Sequence, residues 1–320
     1  MTTLSRLTED RINTLVASVV FLFTLAVYTV TMTPTVPFWD SGEYIATSYI
    51  LGVPHAPGTP LYVLLGRMFT LLPFGNIAQR VNWFSALSSA VAVLFTYLIA
   101  VKVTRKILPV SEGPVNRHLA YLSGVVGALM AAFATTFWDN AVEAEVYAPS
   151  CALMAFVIWL ALRWEERGEQ GNEDGLLLVI TYMVGLGVGI HLGVAVAAWA
   201  TVIFVFTCRP GYLARWDYLG WALVTLSLAT GVHMAAFLVA PIVLVLTLDL
   251  PAIRSAKRAL QVFDKVGYPR TKTMVVVNRW SKQVDLDLRQ VEEFLGEPVI
   301  GSLPSDYQTV VSSVNLGTPL

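Results

Sequence analysis

The sequence predicts an α-helical polytopic membrane protein of about seven spans, followed by an incomplete α/β fragment. Three observations carry this expectation. Of the 320 residues, 56% are hydrophobic and 13% charged, whereas soluble domains carry about 25% charged residues. Several runs of about 18 or more apolar residues are long enough to cross a bilayer. The charge is also uneven: residues 1–248 hold 12 Lys/Arg and 14 Asp/Glu, whereas residues 249–320 hold 9 and 8. That is about one charge in ten positions against about one in four, and the second density is ordinary for a soluble fold. The sequence therefore divides into a membrane part, 1–240, and an α/β part, 241–320. A net charge of −1 argues against nucleic acid as a partner and leaves the lipid bilayer as the first one.

Spans are expected over 12–32, 82–103, 119–138, 147–163, 175–191, 192–207 and 217–240. The first lacks a small-residue cleavage site and reads as a retained anchor. Cys151 and Cys208 sit inside apolar runs without metal-ligand spacing and read as small packed hydrophobes. The stretch "TPLYVLLGRMFTLLPF" (59–74) is apolar but interrupted by Pro60, Arg67 and Pro73, so it reads as an interfacial or re-entrant helix. The loop after the second span then carries Lys102, Arg105, Lys106 and Arg117 against Glu112. Arg6, Arg11, Arg209, Arg215 and the acidic loop 163–174 fall on its side. By the positive-inside rule that side is cytoplasmic. Residues 33–81, 139–146 and the break near His191 are placed opposite, on the non-cytoplasmic face of an integral membrane protein, a bacterial inner membrane being the expected site.

Two polar stretches thus share one face. In "FWDSGEY", Asp40 and Glu43 stand three apart, which puts both on one side of a helical turn. A helix cap explains the same spacing. In "FWDNAVEAEVY", Asp139, Glu143 and Tyr147 recur at intervals of four, with Glu145 off that face. Such a loop is either plainly solvated or, because acids at a bilayer boundary are costly alone, gathered around a partner. His55 lies in a Pro/Gly loop between Pro54 and Pro57. His191, in "GLGVGIHLGV", sits where a long apolar stretch turns, beside glycines that permit close helix approach. His233 lies within an apolar run and reads as a packed polar residue or part of a cavity.

Two carboxylate clusters beside the bilayer suit transfer of a sugar from a lipid phosphate to a hydroxyl. One carboxylate takes the acceptor proton as the oxygen attacks the anomeric carbon. Cations, Arg67 and Arg80 from the same loop or a divalent metal, offset the departing phosphate. A transporter also uses acids and broken helices, but is expected to place them nearer mid-membrane.

The stretches "TPTVPFWDSGEYIATSYILGVPHAPGTPLYVLLGRMF", "RVNWFSALSSAVAV" and "FWDNAVEAEVYAPS" resemble a multispan membrane family related to the protein O-mannosyltransferases, over roughly residues 10–235. That family is similar to the GT-C glycosyltransferases. The resemblance implies an inverting transferase using a polyprenyl-phosphate-linked sugar. It does not imply which sugar or acceptor a bacterial member uses; mannose and a protein or glycan hydroxyl are the candidates. Its base is an acid of the first outer loop, here Asp40, with Glu43 and Glu143 in support. Substrate contacts are then expected from His55, Arg67, Arg80, Asp139, Glu145, Tyr147 and His191. Family members usually continue with further spans, so the membrane part reads as truncated.

From Pro241 the pattern changes. "IVLVLTLDL", "TMVVVNRW" and "PVIGSLPSDY" read as strands, with "PAIRSAKRALQVFDKVGYP" and "LRQVEEFLG" as helices between them. The first helix presents Ile253, Ala256, Leu260 and Phe263 on one face. Strands alternating with helices predict a parallel sheet. This part resembles the C-terminal third of a MinD/ParA-type ATPase, closest to the CpaE/TadZ pilus assembly proteins, which implies that Asn278 lies near a nucleotide base. The chain contains no G-x-x-x-x-G-K-[ST]. Without those amides and that lysine, ATP hydrolysis is not expected. The two parts read as a fusion or junction near residues 236–246, and a membrane-anchored pilus assembly factor is the alternative function.

Overall fold

The computed structural model describes residues 3–55, 58–108, 114–167, 174–209, 211, 216–239, 242–265, 268–280 and 287–305. Glu112, Pro57, Arg215, residues 168–173 of the acidic loop and most of the final ATPase-like stretch lie outside them. Ten helices precede the sheet in the described residues: α1 (Thr3–Thr31), α2 (Ser41–Ile50), α3 (Pro60–Thr70), α4 (Ile77–Ile107), α5 (Pro114–Ala132), α6 (Thr135–Val142), α7 (Tyr147–Arg167), α8 (Asp174–Val188), α9 (Ala195–Cys208) and α10 (Trp216–Val239).

Three of these, α1, α4 and α7, contain segments long and apolar enough to cross a membrane. The span expected over 119–138 is a corrected case: α5 and α6 bend by 67° at a short break and count together as a fourth. The apolar segments of α8, α9 and α10 are shorter, Gly175–Val188, Leu192–Val205 and Ala222–His233. The chain is therefore an integral membrane protein with three to four full-length apolar spans among the described residues. The break expected near His191 is present as a short 3-10 turn, Leu192–Val194, between α8 and α9.

α4 is the central strut. Asn76 and Gln79 start it with a reciprocal capping box: the Asn76 side chain accepts from the Gln79 amide at 2.9 Å, and Gln79 accepts from the Asn76 amide at 3.0 Å. Its buried face is rich in small and hydroxylated residues, among them Ser85, Ala86, Ser89, Ala90 and Ala92. Small side chains let helix backbones approach closely where lipid supplies no hydrophobic drive between helices. α1, α5 and α6 pack on one flank of α4 through Tyr28, Tyr97, Tyr121 and Ala128. At the far end Lys102 reaches Glu166 at 2.5 Å and Lys106 pairs with Glu165. The Arg209 guanidinium lies 5.0 Å from the Trp164 ring. The basic loops and the start of the acidic loop therefore share one end of the bundle. Cys208, expected to pack, is exposed, whereas Cys151 is half-buried.

After α10 the fold is β1 (Ile242–Thr247), α11 (Leu250–Lys265), β2 (Thr273–Trp280), α12 (Leu288–Leu295) and β3 (Val299–Pro304). The strands form a parallel sheet in the order β1-β2-β3. Ile253, Ala256 and Leu260 of α11 are buried against Leu246, Val275 and Val277, with Val291 and Leu295 of α12 completing the cluster. The alternation and the apolar face both match the sequence reading.

Candidate active site

The site is built at the α4 N-terminal end. The chain leaving α1 is sewn down by backbone and side-chain bonds: Thr33 donates to the Val142 carbonyl at 2.9 Å. Asn82 donates to the carbonyls of Thr33 and Thr35 at 2.7 and 3.1 Å. Three non-glycine residues have positive φ among the described ones, Trp39 at 64°, Leu51 at 56° and Thr59 at 29°. All three bracket α2 and the loop after it. Such conformations cost of order 1–3 kcal/mol each and persist where surrounding structure holds them.

Asp40 occupies the N-cap position of α2, yet its side chain makes no capping hydrogen bond. The capping explanation of this motif is thus not met, and the exposed carboxylate stays available. Glu43, in the first turn, is engaged instead with His55: its Oε1 accepts from the His55 amide at 2.7 Å and its Oε2 from Nδ1 at 2.7 Å. That hydrogen bond, ahead of the other influences, raises the His55 pKa above the ordinary histidine value. Ligand atoms of Asp40, Glu43 and His55 all lie within 4.8 Å of one another. Two carboxylates and an imidazole at that spacing are a donor set suited to a divalent cation.

The second acidic stretch approaches from the other side. α6 ends at Val142 and Glu143 is extended, with φ −138° and ψ 160°. The i, i+4 relation of Glu143 and Tyr147 is therefore not a helical face, because the non-helical residues 143–146 separate α6 from α7. This correction changes which acid matters. Glu145 is only 9% exposed, and its amide donates to Ser85 Oγ at 3.3 Å. Burial first, then the charges of Glu143 and Asp40, push its pKa up to about 7. Glu143 is also raised, by burial and then by Asp139.

Tyr44 records the convergence. Its hydroxyl is pushed up by burial, then by Glu145, Asp40 and Glu43. Its ring lies 5.8 Å from His55 and 5.1 Å from Tyr62. Tyr62 is fully buried and feels Glu145 as well. Beneath them Phe84, Val146 and Ile190 complete one cluster. The α8–α9 break closes the arrangement. The Gly189 carbonyl accepts from the Leu61 and Tyr62 amides, at 2.8 and 3.4 Å, in the first turn of α3, where unpaired amides need partners. His191 accepts from the Gly193 amide at 3.0 Å and its ring lies 5.1 Å from that of Tyr147. His233 resolves as a packed polar residue, donating Nε2–H to the Gly185 carbonyl at 2.9 Å.

The two arginines are turned elsewhere. Arg80 donates to the carbonyls of Phe74, Thr70 and Gly75 at 2.5, 2.9 and 2.9 Å. Arg67 donates to the Tyr49 carbonyl at 2.5 Å, with its guanidinium carbon 5.5 Å from the Tyr49 ring. Both tie loops and helix ends together, so the phosphate-contacting cations expected from this loop are already engaged with backbone. Asp139 lies in α6, beside Glu143. Asn278 lies in β2, where it is paired with Thr247 in the sheet register. Tyr44, Tyr62 and Ser85 were not among the residues singled out from sequence. Their signal was the aromatic and hydroxyl content of the motifs themselves, which spacing does not assign to a site.

A family model described as the protein O-mannosyl-transferase TMEM260 N-terminal domain matches residues 40–213, more than half of the chain. The chain is 29% identical to the protein O-mannosyl-transferase TMEM260 of Mus musculus over 168 residues, 52% of this chain and 22% of that protein. It is 27% identical to its Dictyostelium discoideum counterpart over 157 residues, 48% of this chain and 17% of that protein. The chain thus spans about a fifth of the length of these curated relatives. It is also 35% identical over 82 residues to a putative septum site-determining protein MinD of Tupiella akineta, 24% of this chain and 26% of that protein. No solved structure matches the chain. With its motif residues, membrane helices and matched span taken together, the chain belongs to the family of the TMEM260 O-mannosyl-transferase N-terminal domain.

Proposed function

We propose that the membrane part is a GT-C-like, inverting glycosyltransferase that moves a sugar, mannose being the first candidate, from a polyprenyl-phosphate carrier to a protein or glycan hydroxyl. The observation that carries the reading is the meeting of Asp40, Glu43 and His55 with the buried Glu145 at one end of apolar helices. Asp40 takes the hydroxyl proton and the acceptor oxygen bonds to the anomeric carbon. The bond from that carbon to the phosphate oxygen breaks, and polyprenyl phosphate leaves with the electron pair. Glu43 orients His55, Glu143 and Glu145 shape the field around Asp40, and Tyr147 and His191 wall the sugar side. The site end is the non-cytoplasmic face because the opposite end collects Lys102, Arg105 and Lys106. A seven-span count includes α8, α9 and α10 as tilted or thinned crossings.

A second reading concerns charge at the phosphate. Because Arg67 and Arg80 are held by carbonyls, the Asp40–Glu43–His55 set would hold a divalent cation that neutralises the leaving phosphate. The α/β part, similar to MinD, is read as a CpaE/TadZ-like fragment joined to this enzyme, without its own ATPase activity. The test is transfer by the full chain in sealed vesicles with polyprenyl-phosphate mannose and a serine-containing peptide, with and without chelator. Transfer to peptide on the site side is expected. Wild-type protein that transfers nothing overturns the reading, and transfer indifferent to chelator removes the cation.

A further inference from the structure

We infer that Trp39 is the platform on which the ring of the transferred sugar stacks, an inference that deepens the transferase reading and rests on it. The stretch from Trp39 to Tyr44 has the makings of an ordinary helix start. An apolar residue, Trp39, precedes the cap, Asp40 stands at the cap and Glu43 follows three places on. Such a start normally closes on itself: the apolar residue packs on the fourth helical residue, and cap and acid bond across the first turn. Here neither happens. Asp40 makes no capping bond, and both oxygens of Glu43 are taken by His55. Tyr44, the fourth residue, is buried with its ring against His55 and Tyr62. Trp39 is left 93% exposed.

That exposure comes with strain. The φ of Trp39, 64°, lies in the left-handed region that bulky residues rarely adopt, and no packing of its own ring offsets the cost. Strain of this kind gathers at ligand sites. A tryptophan that only marks the bilayer surface gains nothing from it, because a relaxed backbone exposes the ring equally well. The neighbours indicate the ligand. Asp40 is the next residue and is exposed, and the side chains of Glu43 and His55 are partly exposed. The indole therefore has hydrated charges beside it, a setting for a ligand with an apolar face and a polar rim. A pyranose has both: its C–H groups cover the electron-rich face of the ring while its hydroxyls stay bonded to carboxylates or water. A hydrocarbon tail covers the ring too, but it takes water from the neighbouring acids and returns no hydrogen bond. A sugar seated on Trp39 lies next to Asp40, the residue that receives the acceptor proton.

The experiment reads binding without turnover. The full chain in nanodiscs, with no acceptor present, is titrated with polyprenyl phosphate and with polyprenyl phosphate bearing mannose or glucose. Wild type is expected to bind at least one sugar-bearing lipid about tenfold more tightly than the bare one, the weight of one covered indole face. Trp39→Leu keeps an apolar side chain for the membrane and is expected to bind all three lipids alike. Trp39→Tyr is expected to retain the preference. Trp39→Gly is expected to lose the preference yet melt no lower than wild type, because glycine adopts positive φ without strain. A wild-type chain without the preference, or a Trp39→Leu variant that keeps it, would overturn the platform. A chain that shows the preference but transfers no sugar counts against the transferase reading alone. Transfer by a chain whose preference survives Trp39→Leu counts against the platform alone.

Discussion

The two parts of this chain bury different mixtures of residue: the membrane part adds many small and hydroxylated side chains to its buried aromatics, whereas the α/β core is mostly large aliphatic. In the membrane part, α4 turns Ser85, Ala86, Ser89 and Ala90 inward, while Leu15, Leu22 and Val30 of α1 and Met130 of α5 face outward. In the α/β part, Ile253, Leu260, Val275 and Val277 are inside, and α11 and α12 turn charged faces out. The difference follows from the solvent. Lipid tails are as apolar as leucine, so close backbone approach and hydrogen bonding hold the helices together; water, by contrast, drives large apolar side chains into a core. The aspartates show the same contrast. Asp249 accepts from the Ala252 amide at 2.8 Å and starts α11, whereas Asp40 starts α2 and caps nothing.

The largest way to break that comparison is Asp40→Asn. It is expected to lower sugar transfer by roughly 10²–10⁴-fold, the usual weight of a general base. Thermal stability is expected to change by less than about 0.5 kcal/mol, as for a surface substitution without special features. A variant that transfers normally removes Asp40 from its role.

Next is Leu260→Ala, in the core of the α/β part. A loss of about 2–5 kcal/mol is expected there, since the truncation leaves a cavity. Hydrogen exchange should show β1, β2 and α11 opening while α4 and α7 stay protected. Equal loss of protection in both parts would mean they unfold as one unit.

Glu145→Gln sharpens the comparison through pH. The raised pKa means that the folded state favours the protonated acid, so its stabilising contribution is present below pH 4.5 and is lost as pH rises through about 7. The amide keeps a neutral side chain at every pH. Melting curves of wild type should therefore fall between those values where those of the variant stay flatter; parallel curves would show that Glu145 is not buried as described.

The smallest effect is expected from Asp249→Ala, a drop of a few degrees in the melting of the α/β part from the lost cap. Sugar transfer should be unaffected. A matching drop in transfer would tie the α/β part to the enzyme.

Much of this was legible because it depends on local pattern. The β-α alternation after Pro241 was visible in short apolar runs separated by an amphipathic helix, and the helices around His191 announced their break through closely spaced glycines. The bend between α5 and α6 was not visible, since Phe133 and Ala134 look as apolar as their neighbours. Spacing misassigned Glu143 and Tyr147 to one face, because nothing local signals that the helix stops between residues 143 and 146. Arg67 and Arg80 looked free for the same reason: a guanidinium's partner carbonyls are set by how α3 ends, not by the arginine.

The sequence by itself determined that this is a membrane protein with a soluble-type tail, and it singled out the two acidic stretches that the fold brings together. Only the tertiary structure decided that Glu43 belongs to His55, that Asp40 is left open and that Glu145 is the buried acid. The physical reason is distance along the chain. Composition and periodicity act within one helix or strand, whereas burial and charge coupling at this site arise between segments about a hundred residues apart, brought together by the packing of α4 against α3, α6 and α7.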